Sequence, residues 1–273
     1  MIRDLHTHTN ASDGSLSPIE LLRLAEEHDV DVLAITDHYT VSAYEGLQEL
    51  NDTSVYVIPG IEFSTTWQSN GIHIVGLNID PLNPELSDGI ARQQQARGER
   101  ARKIAARLTR LDIDDPYDAV GELAGNAGIG RPHFAQHLVN IGRVPDHQTA
   151  FRKYLGAGKI GDIRQGWASM SEVIEWIVAA GGLPVLAHPA KYKFTTTKLR
   201  AMLEDFKEYG GLAVEVVSGH QQPSLTKRLG ELAVDFELLA SIGSDFHHPA
   251  NKWSRPGGFP ALPDQLAAVW DAW

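Results

Sequence analysis

Near the start of the chain, His6-Thr7-His8 is followed by Ser12-Asp13-Gly14. On a strand, residues two apart point to the same face, so both imidazoles leave one side of the backbone. Asp13 then falls in a turn of small polar residues closed by Gly14. The same design returns at Thr36-Asp37-His38 and Ser244-Asp245-Phe246-His247, each after a short apolar run of strand type. A chain that keeps ending strands in imidazoles and carboxylates suits a metal site at one end of a barrel or sheet. That pattern constrains every other part of the reading.

The chain has 273 residues, enough to bury a sizeable core. It contains no cysteine, which removes a disulfide framework and any thiolate metal site. No basic segment precedes an apolar run near the N-terminus, and no stretch approaches the length of a membrane span. The expectation is a cytoplasmic protein with neither a membrane nor an obligate protein partner. A formal charge of −11 argues against general coating of nucleic acid. The charge is unevenly spread, however. Residues 92–164 hold 13 Lys/Arg against 8 Asp/Glu, and the remainder holds 11 against 27. A positive insert on an acidic body either handles an anionic substrate or is a set of helices with solvated basic faces.

Residues 2–8 read as a buried strand. Ser17-Pro18-Ile19-Glu20 is a capping box with proline at the first helical position, predicting a helix over 18–28. Strand-like runs at 32–36, 54–63 and 71–77 follow, with a helix expected near 40–50. From about 84 to 165 the rhythm turns helical, with pieces expected at 97–111, 116–125, 132–141 and 146–155. The βα alternation then resumes: helices over 169–180, 196–208 and 223–234, strands over 183–187, 212–217 and 238–243, and a last helix from about 263. Strands of this apolar character alternating with helices predict βα units and a parallel sheet or barrel. The expected division is a β/α body over 1–95 and 166–273, with a helical insert over 96–165.

The His, Asp and Glu residues at the ends of the predicted strands are His6, His8, Asp13, His38, Glu62, His73, His188, Asp245 and His247. Singly, each has a bland role: a lone histidine such as His73 or His188 packs more often than it ligates, and Asp13 could simply cap a turn. Nine of them at strand ends are harder to dismiss. Imidazole and carboxylate without thiolate suit manganese, iron or zinc rather than a structural zinc finger. Nine ligands also exceed what one ion takes, so two or three ions are implied.

These segments, together with Pro59-Gly60-Ile61-Glu62, Ile72-His73-Ile74-Val75-Gly76-Leu77 and Ala187-His188-Pro189, resemble the PHP (polymerase and histidinol phosphatase) family, and within it the small nucleotide phosphoesterases. Gly130-Arg131-Pro132-His133 and the stretch from Ala150-Phe151 to Gly161 extend the likeness into the insert. The resemblance implies a distorted (β/α)7, TIM-like barrel with an inserted helical subdomain, and a centre of three divalent ions, manganese first, with iron or zinc as alternatives. Carried over by position, His6, His8, Glu62 and Asp245 would hold one ion. Glu62, His73 and His188 would hold a second, and Asp13, His38 and His247 a third. No residue outside the ligands is then required as a nucleophile, because a hydroxide acidified by two ions attacks phosphorus. Asp37 is either a partner orienting a ligand histidine or a turn-capping carboxylate.

Substrate contacts are expected from the insert. Arg131 opens a helix with Pro132 in its first turn, where a guanidinium can make a forked contact with phosphate. His133, Lys159 after two glycines, and His220 after a predicted strand are further candidates. The resemblance points to a phosphatase that removes the 3′-phosphate of nucleoside 3′,5′-bisphosphates and leaves a 5′-mononucleotide. The alternatives are a 5′→3′ exonuclease on short single-stranded RNA or DNA, a phosphatase of the histidinol phosphate type, and a non-catalytic nucleotide sensor.

Overall fold

The computed structural model describes residues 1–45, 47, 53–125, 127–163 and 166–273. They form two compact units: Met1–Ile90 with Ala168–Trp273, and Ala91–Trp167 between them in sequence.

Among the described residues the first unit holds a seven-stranded sheet whose strands lie in sequential order. These are β1 (Ile2–Thr7), β2 (Val30–Ile35), β3 (Tyr56–Trp67), β4 (Asn70–Leu77), β5 (Leu183–Leu186), β6 (Ala213–Ser218) and β7 (Leu239–Gly243). The ends of β1 and β7 meet: Asp245 N–H donates to His6 O at 2.8 Å and His8 N–H to Phe246 O at 2.9 Å. The sheet is therefore a nearly closed, distorted (β/α)7 barrel. Gly243 makes the close approach possible, since a Cβ there would lie 2.3 Å from that of His6.

One strand departs from the parallel expectation. β4 runs antiparallel to both β3 and β5. A two-residue turn, Gln68-Ser69, joins β3 to β4 with both residues left-handed (φ 43° and 65°). That backbone matches the twist of paired strands, but it carries neither glycine nor asparagine at those positions, so no hairpin signature was present to read.

The helices of this unit follow local rules. In α1 (Pro18–Glu27) the Ser17 hydroxyl accepts from Glu20 N–H, and the Glu20 carboxylate accepts from Ser17 N–H at 2.8 Å. The α1 residues Leu21, Leu22 and Ala25 pack with Val30, Leu33, Ile35 and Phe246. The expected helix near 40–50 is a short 3₁₀ turn, Ser42–Tyr44, while positions 46 and 48–52 lie outside the described residues. The helix expected from 263 is likewise reduced to a 3₁₀ turn, Val269–Ala272. Just before it, Ala268 bridges to Ala240 of β7 and Ala267 O accepts from Ala240 N–H, which holds that backbone extended.

α2 (Pro84–Thr109) begins earlier than its basic segment implied. The Asn83 side chain caps it, accepting from Leu86 N–H at 3.0 Å, and Pro84 occupies the first turn. In the second unit, α3 (Tyr117–Ala124), α4 (Arg131–Asn140) and α5 (His147–Ala150) follow, the last continuing into a wide turn, Phe151–Leu155, closed by Gly156 N–H to Phe151 O. Ile104 and Leu108 of α2 pack there with Val120, Phe134, Leu138 and Leu155 in a core of its own. The first unit is completed by α6 (Met170–Ala179), α7 (Thr196–Glu208) and α8 (Pro223–Asp235). Among the described residues no helix is long and apolar enough to cross a membrane.

Candidate metal centre

The ends of the barrel strands place their imidazoles and carboxylates around one side chain, Glu62 of β3. This carboxylate is 1% exposed and touches five rings. Oε1 lies 2.8 Å from His73 Nδ1 and 3.2 Å from His188 Nε2. Oε2 lies 3.3 Å from His6 Nε2, 3.2 Å from His8 Nε2 and 3.4 Å from His38 Nδ1. The β2–β3 pairing carries the placement onward, since His38 bridges to Glu62 and Glu62 N–H donates to Asp37 O.

Asp13 is delivered by the turn after β1. Ser12 and Gly14 N–H both donate to Thr9 O, and a Cβ at Gly14 would fall 2.4 Å from His8 O. Asp37 locks this turn: it accepts from Thr9 N–H at 2.7 Å, and from the hydroxyls of Thr9 and Ser12 at 2.5 Å each. Its carboxylate thus braces the turn that carries Asp13, the turn role that stands beside histidine orientation as the alternative for this residue. Two further site residues have left-handed backbones that L side chains seldom adopt: His188 (φ 31°), immediately before Pro189, and Asp245 (φ 53°).

All nine strand-end residues come together. Their donor atoms fall into four groups within 4.8 Å: His8 with Asp13, His38 and His247; His6 with Glu62 and His188; His6 with His8 and Asp245; and His38 with Glu62 and His73. These groups differ from the partition that the resemblance implied. His8 joins the Asp13 set as well as that of His6, and His73 and His188 fall in different groups that share Glu62.

Burial disfavours the carboxylate of Glu62, yet the rings of His38, His73 and His6 hold it well below the usual range. Burial likewise opposes ionisation of Asp13, and His247 and His38 overcome it. Burial opposes the cationic form of His6, but the carboxylates of Glu62 and Glu215 push its pKa up to about 10. His188 goes the other way, to about 3, through burial and the nearby Lys191 ammonium.

The residues fit divalent ions. Nδ1 of His8, His38 and His188 is buried in each case without a hydrogen-bond partner among the described residues. A converging set of imidazoles and carboxylates is the donor chemistry that manganese, iron and zinc share. Ring orientation is set from behind. His247 Nδ1–H donates to Asp245 O at 3.0 Å, and His6 Nδ1–H donates to Glu215 at 3.2 Å, leaving both Nε2 atoms turned to the cluster.

Glu215 and Lys191 were not picked out from the sequence. Glu215 is a charged residue inside the apolar run Ala213-Val214-Glu215-Val216-Val217, a signal that was there to read. Lys191 had none; it pairs with Asp245 only because β5 and β7 end at the same rim.

The substrate candidates belong to both units. His220, after β6, lines a cleft beside Asp245 and His247, and its N–H donates to Trp253 O at 2.9 Å. Arg131, His133 and Lys159 belong to the helical unit. Arg131 is the first residue of α4 and donates to Leu155 O at 3.3 Å. His133 Nδ1 accepts from Gly130 N–H at 3.0 Å, a capping contact, and Lys159 is exposed.

The chain matches the family model described as the PHP domain over residues 4–180. It is 38% identical over 269 residues to a 5′-3′ exoribonuclease of Haemophilus influenzae, spanning 98% of this chain and 97% of that protein. It is 37% identical over 269 residues to a 3′,5′-nucleoside bisphosphate phosphatase of Chromobacterium violaceum, spanning 98% and 94%. A solved structure of an amidohydrolase from Chromobacterium violaceum, with bound sulfate and no metal, superposes with a TM-score of 0.92 at 36% identity, covering 100% of this chain and 95% of that one.

Proposed function

We propose that this chain, which belongs to the PHP-domain family and is a metal-dependent phosphoesterase, removes the 3′-phosphate of nucleoside 3′,5′-bisphosphates to leave a 5′-mononucleotide. The observation that carries the reading is Glu62, a buried carboxylate shared by five imidazoles at one barrel rim. The similarity to a bisphosphate phosphatase over nearly the whole chain supports the substrate class.

In this reading His6, His8, Asp13, His38, Glu62, His73, His188, Asp245 and His247 hold three divalent ions, manganese first, with iron or zinc as alternatives. Bound there, such ions supply positive charge to phosphoryl oxygens and acidify water for attack on phosphorus. The chain's own residues do the rest. Glu215 and the Asp245 carbonyl hold Nδ1–H of His6 and His247, so Nε2 is the nitrogen each ring turns to the cluster. Asp37 holds the Asp13 turn. In the insert, taken as the substrate-recognition part, Arg131 offers a planar guanidinium at a helix start for the phosphate that does not react, with His133 and Lys159 as further candidates for the same role. His220, in the barrel unit, is a further candidate for substrate contact.

Purified protein loaded with Mn²⁺ is expected to release phosphate from a panel of bisphosphates far faster than a His8→Ala control. Release no faster than the control sinks the reading.

The similarity to a 5′-3′ exoribonuclease favours a second reading, cleavage of short single-stranded RNA or DNA from its 5′ end at the same centre. Adenosine 3′,5′-bisphosphate and a 5′-phosphorylated oligonucleotide, compared at equal enzyme, separate the two. Turnover of the oligonucleotide alone selects the exonuclease.

A further inference from the structure

Lys191 stands where a cation is out of place for a site built to bind cations. It lies in the 3₁₀ turn Pro189–Tyr192 after β5, and its Nζ donates to Oδ2 of Asp245. The other oxygen of Asp245, Oδ1, faces the cluster, 3.5 Å from His6 Nε2 and 3.4 Å from His8 Nε2. One carboxylate therefore has an inner oxygen directed at the donor groups and an outer oxygen held by an ammonium. A fixed positive charge so close opposes the binding of divalent ions. Its Lys191 side chain is 54% exposed, and an ion pair open to water to that extent adds little to stability. Neither cation binding nor folding accounts for Lys191.

The turn is nonetheless held in place. Lys191 N–H donates to His188 O at 2.9 Å, and the neighbouring Tyr192 hydroxyl donates to Ala187 O at 2.7 Å while accepting from His73 N–H at 2.9 Å. Lys191 also lines a cleft of about 410 Å³, together with His220, Trp253, Asn251, Asp245 and His247. That volume is in the range of small-ligand sites, roughly 300–1,000 Å³. The backbone around it is pinned, with Gly219 N–H on Gly243 O at 2.7 Å and His220 N–H on Trp253 O at 2.9 Å.

We propose that Lys191 binds a phosphoryl oxygen of the substrate at the mouth of the metal centre, from the side of this cleft. The assignment rests on the phosphoesterase reading of the site. An ammonium presents three donors, and Asp245 takes one of them. A phosphoryl oxygen bound by another gains a charge-assisted hydrogen bond, and the cationic charge is offset without loss of the inner carboxylate oxygen.

The test is calorimetric binding of inorganic phosphate to the Mn²⁺-loaded wild type, Lys191→Met and Lys191→Arg, with bound manganese counted by elemental analysis. Lys191→Met is expected to weaken phosphate binding by about tenfold or more, as for a lost hydrogen bond to a charged group. Its manganese content should be no lower than that of the wild type, and Lys191→Arg should keep most of the affinity. A phosphate Kd unchanged in Lys191→Met overturns the assignment. So does a parallel loss of manganese, which would make Lys191 a support for Asp245, and so does a wild type that does not bind phosphate. Phosphate binding needs no turnover. A wild type that binds phosphate through Lys191 yet leaves bisphosphates intact refutes the substrate proposed above and not this contact.

Discussion

Glu215 Oε1 accepts from Nδ1–H of His6 at 3.2 Å, across 209 residues of sequence. Its other oxygen accepts from the backbone N–H of His188 at 2.5 Å. One buried carboxylate thereby sets the ring of His6, at the end of β1, and the left-handed turn at His188, at the end of β5.

Glu215→Gln is expected to weaken manganese binding by about 10- to 100-fold, the usual effect of losing a partner behind a ligating histidine. Glu215→Ala should also lower the stability of the metal-free protein by about 1–3 kcal/mol, because the His188 N–H stays buried without an acceptor. Manganese titration and metal-free thermal denaturation read the two effects separately. A stability loss with unchanged manganese affinity would show Glu215 to be structural only.

Asp13 belongs to one donor group, with His8, His38 and His247, whereas His6 belongs to two others. Asp13→Ala should therefore remove one ion selectively, and His6→Ala should disturb different ones. Metal counting on both variants checks this. Loss of the same single ion from each contradicts the grouping.

Asp37 takes three donors from the Thr9–Ser12 turn, two of them hydroxyls. Asp37→Ala leaves a buried N–H unpaired and should cost about 1–3 kcal/mol. Asp13 should then lose its fixed position, so the variant should bind one ion more weakly while the rest are retained. Denaturant unfolding and metal titration measure the two consequences. Asp37→Asn should fall between the wild type and Asp37→Ala in both.

Arg131→Ala should raise KM for bisphosphates by about tenfold or more, the scale of one lost charged hydrogen bond, without changing metal content. A minimal substrate with a single phosphate should be affected much less. An equal rise for both substrates would place Arg131 in the packing of the helical unit, where it already contacts Leu155 O.

The residues that gather at the barrel rim were legible in the sequence because each rule involved is local. His6 and His8 share a face through the period of a strand, Ser17 and Glu20 announce α1 through a capping box, and apolar runs mark where strands end. The PHP family and the β/α barrel followed from those segments. Other features belong to tertiary structure alone. The reversal of β4 turns on Gln68 and Ser69 adopting left-handed backbones, which neither residue advertises and which the pairing of β3 with β4 imposes. The left-handed turns at His188 and Asp245, the choice of Glu215 as the partner of His6, and the Lys191–Asp245 pair all depend on which strand ends become neighbours when the barrel closes. Those contacts join residues 54 to 209 positions apart, beyond the reach of any periodicity or capping rule. Sequence determined which chemistry collects at the rim; closure of the barrel decided how each ring and carboxylate is turned toward it.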